Sequence, residues 1–369
     1  LQLTGASQTD SIANMQLRLP VVVIGGGLTA IDTATESLAY YPIQVEKFLQ
    51  RYEILAAEQG EDFIQSSWDE EEREIATEFL IHARAIRAER LQAKEEGRHP
   101  NIIKLLQSWG GATIAYRKRL VDSPSYTLNH EEVEKALEEG IWFAEGLTPL
   151  RIELDQWEHA RSIRFSVQSI DENGKWYQSK EVELAARAIL VAAGTQPNTV
   201  LAREDEKYFK LDGRYFAACD EKGSPVSIAK GNPKPEVPAV LLSRCSDGRF
   251  ISFFGDLHPS YSGNVVKAMA SAKQGYSAVS SVLKQVKPAT DQSDHEFIDG
   301  LNRQLRATVY KVERLTPNIV EVVVHAPLAA KQFHPGQFYR FQNFASLSKI
   351  AVNTRLAMEG IALTGASVD

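Results

Sequence analysis

The residues with the clearest capacity for chemistry lie in the stretch GGGLTA, which directly follows the four apolar residues Val21 to Ile24. The small residues Gly25, Gly27 and Ala30 have the spacing G-x-G-x-x-A. Glycines at this spacing allow a tight turn and a close approach of the backbone to a ligand, and a following helix binds pyrophosphate at its N-terminus. The stretch therefore predicts a nucleotide site. The remaining residues of this candidate site are Gly26, Leu28 and Thr29.

A buried strand and a helix are expected on either side of this turn. Val21 to Ile24 are continuous and mostly β-branched, which is typical of a buried parallel strand. Leu28 to Tyr41 predicts a helix that ends at Pro42, because proline interrupts helical hydrogen bonding. This order of strand, turn and helix is the context that a dinucleotide site requires. The alternative is that the glycines only permit tight packing of the strand against the helix.

Three cations follow the next predicted strand, Ala112 to Tyr116. A carboxylate at this position would accept hydrogen bonds from the 2′-hydroxyl of an adenosine ribose, whereas arginine would bind a 2′-phosphate. The residues present are Arg117, Lys118 and Arg119, which favour NADP(H). Two alternatives remain open: an ordinary basic surface, and an NAD(H) site from which these side chains point away.

A long charged segment, residues 43–108, separates the first helix from this second strand. Acidic and basic residues alternate at helical spacing in its second half, and Ile75, Phe79 and Ile86 form a partial apolar stripe. We expect a helical insertion of two or three helices, which serves either as a solvated cap or as a partner surface.

Further helix and strand signals follow the cations. Asn129 with Glu132 predicts a capping box at the start of a helix, and Gly140 predicts its end. Strands with a turn at Asn173-Gly174 are expected next, followed by a buried strand that ends at Gly194. Gly194 is therefore added to the candidate cofactor-binding residues.

The order of these motifs resembles the NADPH domain of the glutamate synthase small subunit. The matching stretches are GGGLTAID at residues 25–32, YRKR at 116–119, EEVEKALEEG at 131–140 and LVAAGTQPN at 190–198. The chain is thereby similar to the FAD-dependent pyridine nucleotide–disulfide oxidoreductase superfamily. The resemblance covers roughly residues 1–285, apart from the insertion.

The resemblance also implies a flavin site. In that family a strand ending in Gly-Asp contacts the flavin side, and the next helix points its N-terminus at the flavin ring. The matching residues are Gly255 and Asp256, with Asn264 and Val265 at the start of the helix. An aspartate can hold ribityl hydroxyls, and a helix N-terminus stabilises negative charge on a reduced flavin.

Several domains are implied by the same resemblance. Family members carry an N-terminal FAD half, so residues 1–20 are expected to lead in from that half. Three β-strands are predicted after residue 300, with Pro335-Gly336 before the third, and they resemble the start of a ferredoxin-reductase-like barrel. We therefore expect the central part of a longer reductase. The predicted order is a lead-in at 1–20, an NADPH-binding domain at 21–200, a second part of the FAD-binding domain at 201–285, a linker at 286–300 and an incomplete barrel at 301–369.

Composition narrows the class of protein. Of 369 residues, 43% are hydrophobic and 24% are charged, as in globular proteins, and a net charge of -7 argues against a nucleic-acid partner. No apolar run approaches the roughly 18 residues of a membrane helix, and we expect a cytoplasmic protein. Cys219 and Cys245 form no C-x-x-C motif, and the histidines lack metal-ligand spacing, so we expect no metal site.

These features predict an α/β protein with a Rossmann-like nucleotide-binding domain, a helical insertion and a partial all-β C-terminal segment. The expected function is part of a flavin-dependent oxidoreductase that takes hydride from NADPH to FAD and passes electrons to another domain or subunit. Hydride transfer needs mainly positioning and electrostatics, so no catalytic acid or base is assigned.

The alternative function is a degenerate reductase core that acts as a scaffold or interaction module without turnover. For this segment alone we expect little turnover and an incomplete FAD site. Apolar faces that the FAD half would cover could also drive oligomerisation.

Overall fold

The computed structural model describes residues 5–170, 176–194, 196–286, 292–358 and 360–368. The chain divides into two units. Unit 1 contains Leu1–Gly194 and Phe333–Val368, and unit 2 contains Thr195–Gln332 and Asp369. Each unit has apolar core residues of its own.

A parallel sheet and an antiparallel sheet form the first part of unit 1. Its strands are β1 (Val21–Ile24), β2 (Ala112–Ala115), β3 (Trp142–Ala144), β4 (Leu147–Leu154), β5 (Ala160–Ile170), β6 (Trp176–Ala185) and β7 (Ala188–Val191). The parallel sheet has the order β3-β2-β1-β7, and Val21 pairs with Ala112 on one side and with Ala188 on the other. The antiparallel sheet has the order β4-β5-β6. The predicted buried parallel strand at 21–24 is confirmed.

The first helix of unit 1 is longer than predicted. The helices are α1 (Leu28–Gln59), α2 (Glu61–Ser67), α3 (Glu70–Glu95), α4 (Ile102–Ser108) and α5 (Pro124–Glu138). Since α1 contains Pro42, the predicted end at this residue is wrong. An internal proline removes a backbone hydrogen bond and costs about 3 kcal/mol. Tyr41, Val45 and Leu49 are buried around it, and their packing offsets this cost.

The insertion at 43–108 is confirmed as helical, although it begins inside α1. It comprises the second half of α1 together with α2, α3 and α4. Phe79, Ala83 and Ile86 of α3 lie in the same apolar core as Val21 and Val23 of β1. The insertion is therefore part of the core of unit 1, and the interpretation as a merely solvated cap is wrong.

Helix α5 consists of two helical stretches that meet at a kink. Ser123 caps the first stretch and accepts a hydrogen bond from the Tyr126 backbone N–H. The kink lies at Asn129, whose backbone is non-helical (φ -158°), so the second stretch begins at the predicted position, and Gly140 follows its end with a positive φ. The capping box of Asn129 with Glu132 stays a prediction. The turn predicted at Asn173-Gly174 lies outside the described residues.

Unit 2 contains short antiparallel strands and helices. Its helices are α6 (Leu201–Glu204), α7 (Val265–Leu283), α8 (Asp294–Leu305) and α9 (Pro327–Lys331). Its strands are β8 (Leu211–Asp212), β9 (Tyr215–Phe216), β10 (Ala218–Cys219), β11 (Pro225–Val226), β12 (Leu241–Arg244), β13 (Phe250–Ser252), β14 (Thr308–Thr316) and β15 (Ile319–His325). One sheet has the order β11-β10-β12-β13, and β14 pairs with β15. Phe216, Leu242 and Phe253 belong to the core of this unit.

Part of the segment predicted as a linker, 286–300, is helical. Ser293 and Glu296 form a capping box at the start of α8. The sequence analysis missed this helix, in which a Ser-x-x-Glu cap is followed by Phe297 and Ile298 within an otherwise polar stretch. The assignment of residues 286–300 as a linker stays a prediction. Residues 287–291 lie outside the described part of the chain.

The C-terminal part of unit 1 consists of short strand pairs. These strands are β16 (Phe338–Phe341), β17 (Ile350–Ala351), β18 (Thr354–Arg355) and β19 (Ile361–Thr364). β16 pairs antiparallel with β19, and β17 pairs with β18. Strands β14, β15 and β16 confirm the three strands predicted after residue 300. The barrel itself stays a prediction, as do the domain assignments.

Candidate functional site

The glycine turn follows β1 at the carboxyl end of the parallel sheet. β1 lies between β2, which follows it in the chain, and β7, which is added much later. Ligands of open parallel sheets bind outside the carboxyl ends of the strands, where the strand order switches in this way. The predicted residues Gly25 to Ala30 thus occupy the place where this kind of sheet binds ligands.

Gly25 is required by close packing. A Cβ atom at this position would collide with the backbone carbonyl oxygen of Ala192, the residue after β7, and would stand 3.0 Å from the Cβ of Ala30. Ala30 is completely buried. The first and third small positions of the motif therefore bring the turn, the helix and the neighbouring strand end together.

Gly26 is held on two sides by the segment that follows β2. A Cβ atom here would collide with the ring of Tyr116. The Gly26 carbonyl oxygen accepts hydrogen bonds from the backbone N–H of Ser125 (3.1 Å) and from its Oγ (3.0 Å). The middle residue of the turn therefore has a fixed orientation.

Gly27 faces open space and begins the helix. Among the described residues, no atom beyond its chain neighbours and its own helix lies within 4 Å of the position that a Cβ would take. Gly27 is the N-cap of α1, and the first turn contains no acidic residue, while Leu28 and Thr29 are the first two helical residues. The N–H groups and the positive end of a helix dipole at such a terminus attract anions. This arrangement can bind a phosphate.

The predicted cations are exposed directly after β2. Arg119 is paired with Asp122: its Nε lies 2.7 Å from Oδ2 and its Nη2 lies 2.9 Å from Oδ1. The hydrogen bonds between them raise the pKa of Arg119 and lower the pKa of Asp122. Within the described ranges, Arg117 and Lys118 form no ion pair, so their charges remain available to a ligand.

Two carboxylates that the sequence analysis missed lie beside these cations. One is Asp122, and the other is Glu145, whose Oε1 accepts a hydrogen bond from the backbone N–H of Leu120 (2.6 Å). Glu145 follows β3, which pairs with β2, so only the sheet order brings it to this loop. Asp122, three residues after Arg119, could have been found from its spacing.

The remaining candidate of unit 1, Gly194, follows β7 by three residues. It is exposed and has a φ of 103°, which favours glycine. Its N-terminal neighbours include Ala192, the residue that packs against Gly25. The prediction that Gly194 contacts a cofactor stays a prediction.

The candidate flavin residues form a compact loop within unit 2. Gly255 has a φ of 71°, and its N–H donates to Ser271 Oγ at 2.8 Å. Asp256 Oδ1 accepts from the Gly263 N–H at 2.8 Å. Asn264 caps α7 by accepting from the Lys267 N–H, and Val265 begins that helix and is exposed. The predicted helix start at 264–265 is confirmed.

Buried residues with polar groups, including His258 and Tyr261, lie within this loop. His258 donates from Nε2 to the Ala239 carbonyl oxygen (2.9 Å) and accepts at Nδ1 from the Ser260 backbone N–H (3.2 Å). Burial lowers the pKa of His258 and raises the pKa of Tyr261. In the described part of the chain, the Tyr261 hydroxyl is buried without a hydrogen-bond partner. The His258 ring also lies against the rings of Phe253 and Tyr261, with centroids 4.6 and 4.8 Å apart.

The candidate residues of unit 1 fit a nicotinamide dinucleotide better than those of unit 2 fit a flavin. For a nicotinamide dinucleotide, unit 1 supplies Gly27, a helix N-terminus and two cations, all of which lack a neighbour, a side-chain cap or an ion pair among the described residues. For a flavin, unit 2 supplies Gly255, the helix start at Val265 and Asp256, one oxygen of which already binds Gly263. The glycine turn is therefore the more complete of the two candidate sites.

Known proteins that are similar to this chain include a sequence relative and a solved structure. No protein-family model matches the chain. The chain is similar to an uncharacterized protein of Rickettsia prowazekii (strain Madrid E), with 34% identity over 370 residues. This match covers 100% of the chain but 44% of the relative, so the chain spans less than half of the relative's length.

A solved structure that is similar is the bacillithiol disulfide reductase of Bacillus cereus. The identity is 11% and the TM-score is 0.34, over 73% of this chain and 51% of that chain. A TM-score of this size supports no statement about activity or cofactor. Over the residues that the structure describes, no helix could cross a membrane, and no cluster of three or more His, Cys, Asp or Glu could hold a metal ion.

Proposed function

We propose that the glycine turn of unit 1 binds the pyrophosphate of NADP(H). The observation that carries this proposal is the division of roles among the small residues: Gly25 and Ala30 pack tightly, whereas Gly27 is open. These are the roles that the three small positions have in dinucleotide sites: a tight turn, ligand approach and helix–strand packing. If the glycines served packing alone, we would expect Gly27, the second glycine of the motif, to be packed against neighbouring atoms as Gly25 is.

The cations after β2 are proposed to meet the 2′-phosphate. Arg117 and Lys118 carry this role, because Arg119 is already paired with Asp122. Asp122 and Glu145 also supply the carboxylates that a ribose 2′-hydroxyl would need, so NAD(H) remains the competing cofactor. The ratio of the two affinities separates these alternatives.

The wider proposal is a role in a flavin-dependent oxidoreductase. Gly255, Asp256 and the N-terminus of α7 would hold the flavin, which when bound would accept hydride from NADPH. Electrons would then leave to another domain or subunit. The motif order from Gly25 to Val265 supports this proposal, and the glutamate synthase-like identity of the parent enzyme is part of it.

A scaffold without turnover is the second candidate function. Apolar side chains on α7 are exposed within the described residues, including Val265, Met269, Tyr276 and Leu283. An exposed apolar face of this kind is typical of an interaction surface. Failure of the chain to bind any nucleotide would favour this candidate.

Calorimetric titration with NADPH and with NADH tests the proposal. We expect wild-type protein to prefer NADPH and the Arg117→Ala variant to lose this preference, since one charge-assisted phosphate contact contributes about 1.5–3 kcal/mol. Arg84→Ala, which removes an exposed arginine from α3, is the matched control. Absence of binding in the wild-type protein would contradict the proposal.

A further inference from the structure

The first turn of α5 contacts the glycine turn through one buried serine. Ser125 and Ser123 are both 1% exposed, although they belong to a loop that carries exposed cations. Their hydroxyl oxygens lie 3.1 Å apart, and Ser125 Oγ donates to the Gly26 carbonyl oxygen. Because the Ser125 N–H is one of the donors left free at a helix N-terminus, Gly26 also satisfies this donor.

The two hydrogen bonds from Ser125 fix the peptide group between Gly26 and Gly27. A peptide group is planar and trans, so its C=O and N–H point in opposite directions. When the Gly26 carbonyl points at Ser125, the Gly27 N–H points away from Ser125. Glycine has the greatest backbone freedom of any residue, so three consecutive glycines would not hold this orientation by themselves.

We propose that Ser125 is a positioning residue for nucleotide binding, which rests on the function proposed above. It acts through Gly26: its N–H and hydroxyl hold the carbonyl, and the Gly27 N–H is thereby presented to the pyrophosphate. Tyr116 supports the same peptide from the other side, because its ring fills the space beside Gly26.

The cations of the same loop are held independently of Ser125. The Lys118 carbonyl accepts from the Gly146 N–H (3.1 Å), and the Leu120 N–H donates to Glu145. Removal of the Ser125 hydroxyl should therefore leave the 2′-phosphate contact in place. Both NADPH and NADH contain the pyrophosphate, so the two affinities should fall by the same factor.

The test is titration of Ser125→Ala with NADPH and with NADH, beside the wild-type protein. We expect both dissociation constants to rise about fivefold to tenfold, the effect of one buried hydrogen bond, with their ratio unchanged. Ser125→Thr keeps the hydroxyl and should restore wild-type affinity. Thr127→Ala removes a hydroxyl from the same turn, where it bonds the Ser123 carbonyl, and should leave both constants unchanged.

Four results would overturn the inference. Wild-type affinity in Ser125→Ala would refute it while leaving the proposed function intact. Equal losses in Ser125→Ala and Thr127→Ala, or equal losses in Ser125→Ala and Ser125→Thr, would show that Ser125 only supports the helix. Absence of binding in the wild-type protein would refute the proposed function itself, and the inference with it.

Discussion

At Gly25, an added Cβ atom would meet the carbonyl oxygen of Ala192 and the side chain of Ala30. Relief of such contacts needs shifts of the backbone, and overpacking of this kind typically costs about 1–3 kcal/mol. We expect Gly25→Ala to lower the free energy of unfolding by this amount, measured by urea denaturation. An unchanged free energy of unfolding would show that the turn is less tightly packed than described.

The pairing of Arg119 with Asp122 leads to a prediction about cofactor choice. Asp122→Asn removes the charge that occupies Arg119 and should raise the affinity for NADPH severalfold without changing that for NADH. Glu138→Gln, which breaks a comparable surface pair with Lys135, is the control. The same calorimetric titrations measure both affinities. A fall in NADH affinity after Asp122→Asn would instead indicate that Asp122 contacts the ribose of NAD(H).

Individual site residues were predictable where local spacing carries the information. The glycines and the cations after β2 follow from consecutive sequence, and the structure places them after two strands, β1 and β2, that pair in parallel. Ser125 and Glu145 were missed because their contacts depend on which elements pack together. Glu145 in particular reaches Leu120 only because β3 pairs with β2.

At the scale of elements, one face of α1 anchors the segment before β1. This anchoring face consists of Tyr40, Gln44, Lys47 and Arg51, which recur at helical spacing. Gln44 bonds both backbone groups of Leu17, and the Lys47 ammonium donates to the carbonyl oxygens of residues 6 and 13 at 2.8 and 3.0 Å. These contacts require α1 to continue past Pro42.

Loss of this anchoring should be measurable as lost stability. Lys47→Met removes an ammonium group that is nearly fully buried and leaves its carbonyl partners unsatisfied, which should cost about 1.5–3 kcal/mol of unfolding free energy. Lys94→Met, at an exposed lysine near the end of α3, should have little effect. Equal effects of the two substitutions, measured by urea denaturation, would contradict this role of Lys47.

The packing of α3 against α1 includes a titratable group. The His82 ring stacks on Trp109 with centroids 3.8 Å apart, and its Nδ1 lies 2.6 Å from the Tyr41 hydroxyl oxygen. Burial lowers the pKa of His82 from its ordinary value of 6.5; the charge of Glu78 opposes this shift and that of Arg18 adds to it.

This lowered pKa makes the stability of unit 1 dependent on pH. His82 has its ordinary pKa of 6.5 in the unfolded chain and a lower pKa in the folded protein. As the pH falls below 6.5, the unfolded chain therefore binds a proton at His82 before the folded protein does, and the free energy of unfolding decreases. His82→Gln should show a weaker dependence over this range, whereas the exposed His99→Gln should behave like the wild-type protein. Identical pH profiles for His82→Gln and wild type, from urea denaturation, would refute the prediction.

Element boundaries were predictable where local signals agree with packing. The strands at 21–24 and after residue 300 were found, and the helix at 265 begins as its cap indicates. The end predicted at Pro42 failed because tertiary packing outweighed the local cost of proline. Helix α8 was missed because composition was weighed above a capping signal.

At the scale of the whole molecule, the chain is a mixed α/β protein, and its described residues form a parallel sheet and several antiparallel sheets. The two parts of the proposed reductase chemistry lie in different units, the glycine turn in unit 1 and the flavin residues in unit 2. Oligomerisation and an electron-accepting partner stay predictions, as does the reductase activity of a longer protein. Long-range pairings such as β1 with β7 could be predicted only through the family resemblance.

The central claim is that the open glycine at the N-terminus of α1 receives a pyrophosphate, and Gly27→Ala tests it most directly. Gly27 has a φ of -96°, which alanine tolerates, and within the described residues the added methyl group would enter open space, where the pyrophosphate is proposed to bind. Calorimetric titration should show that this variant remains folded but binds NADPH and NADH about tenfold more weakly or worse, a loss of about 1.4 kcal/mol or more. Wild-type affinity in Gly27→Ala would contradict the account, because the turn would then bind no phosphate.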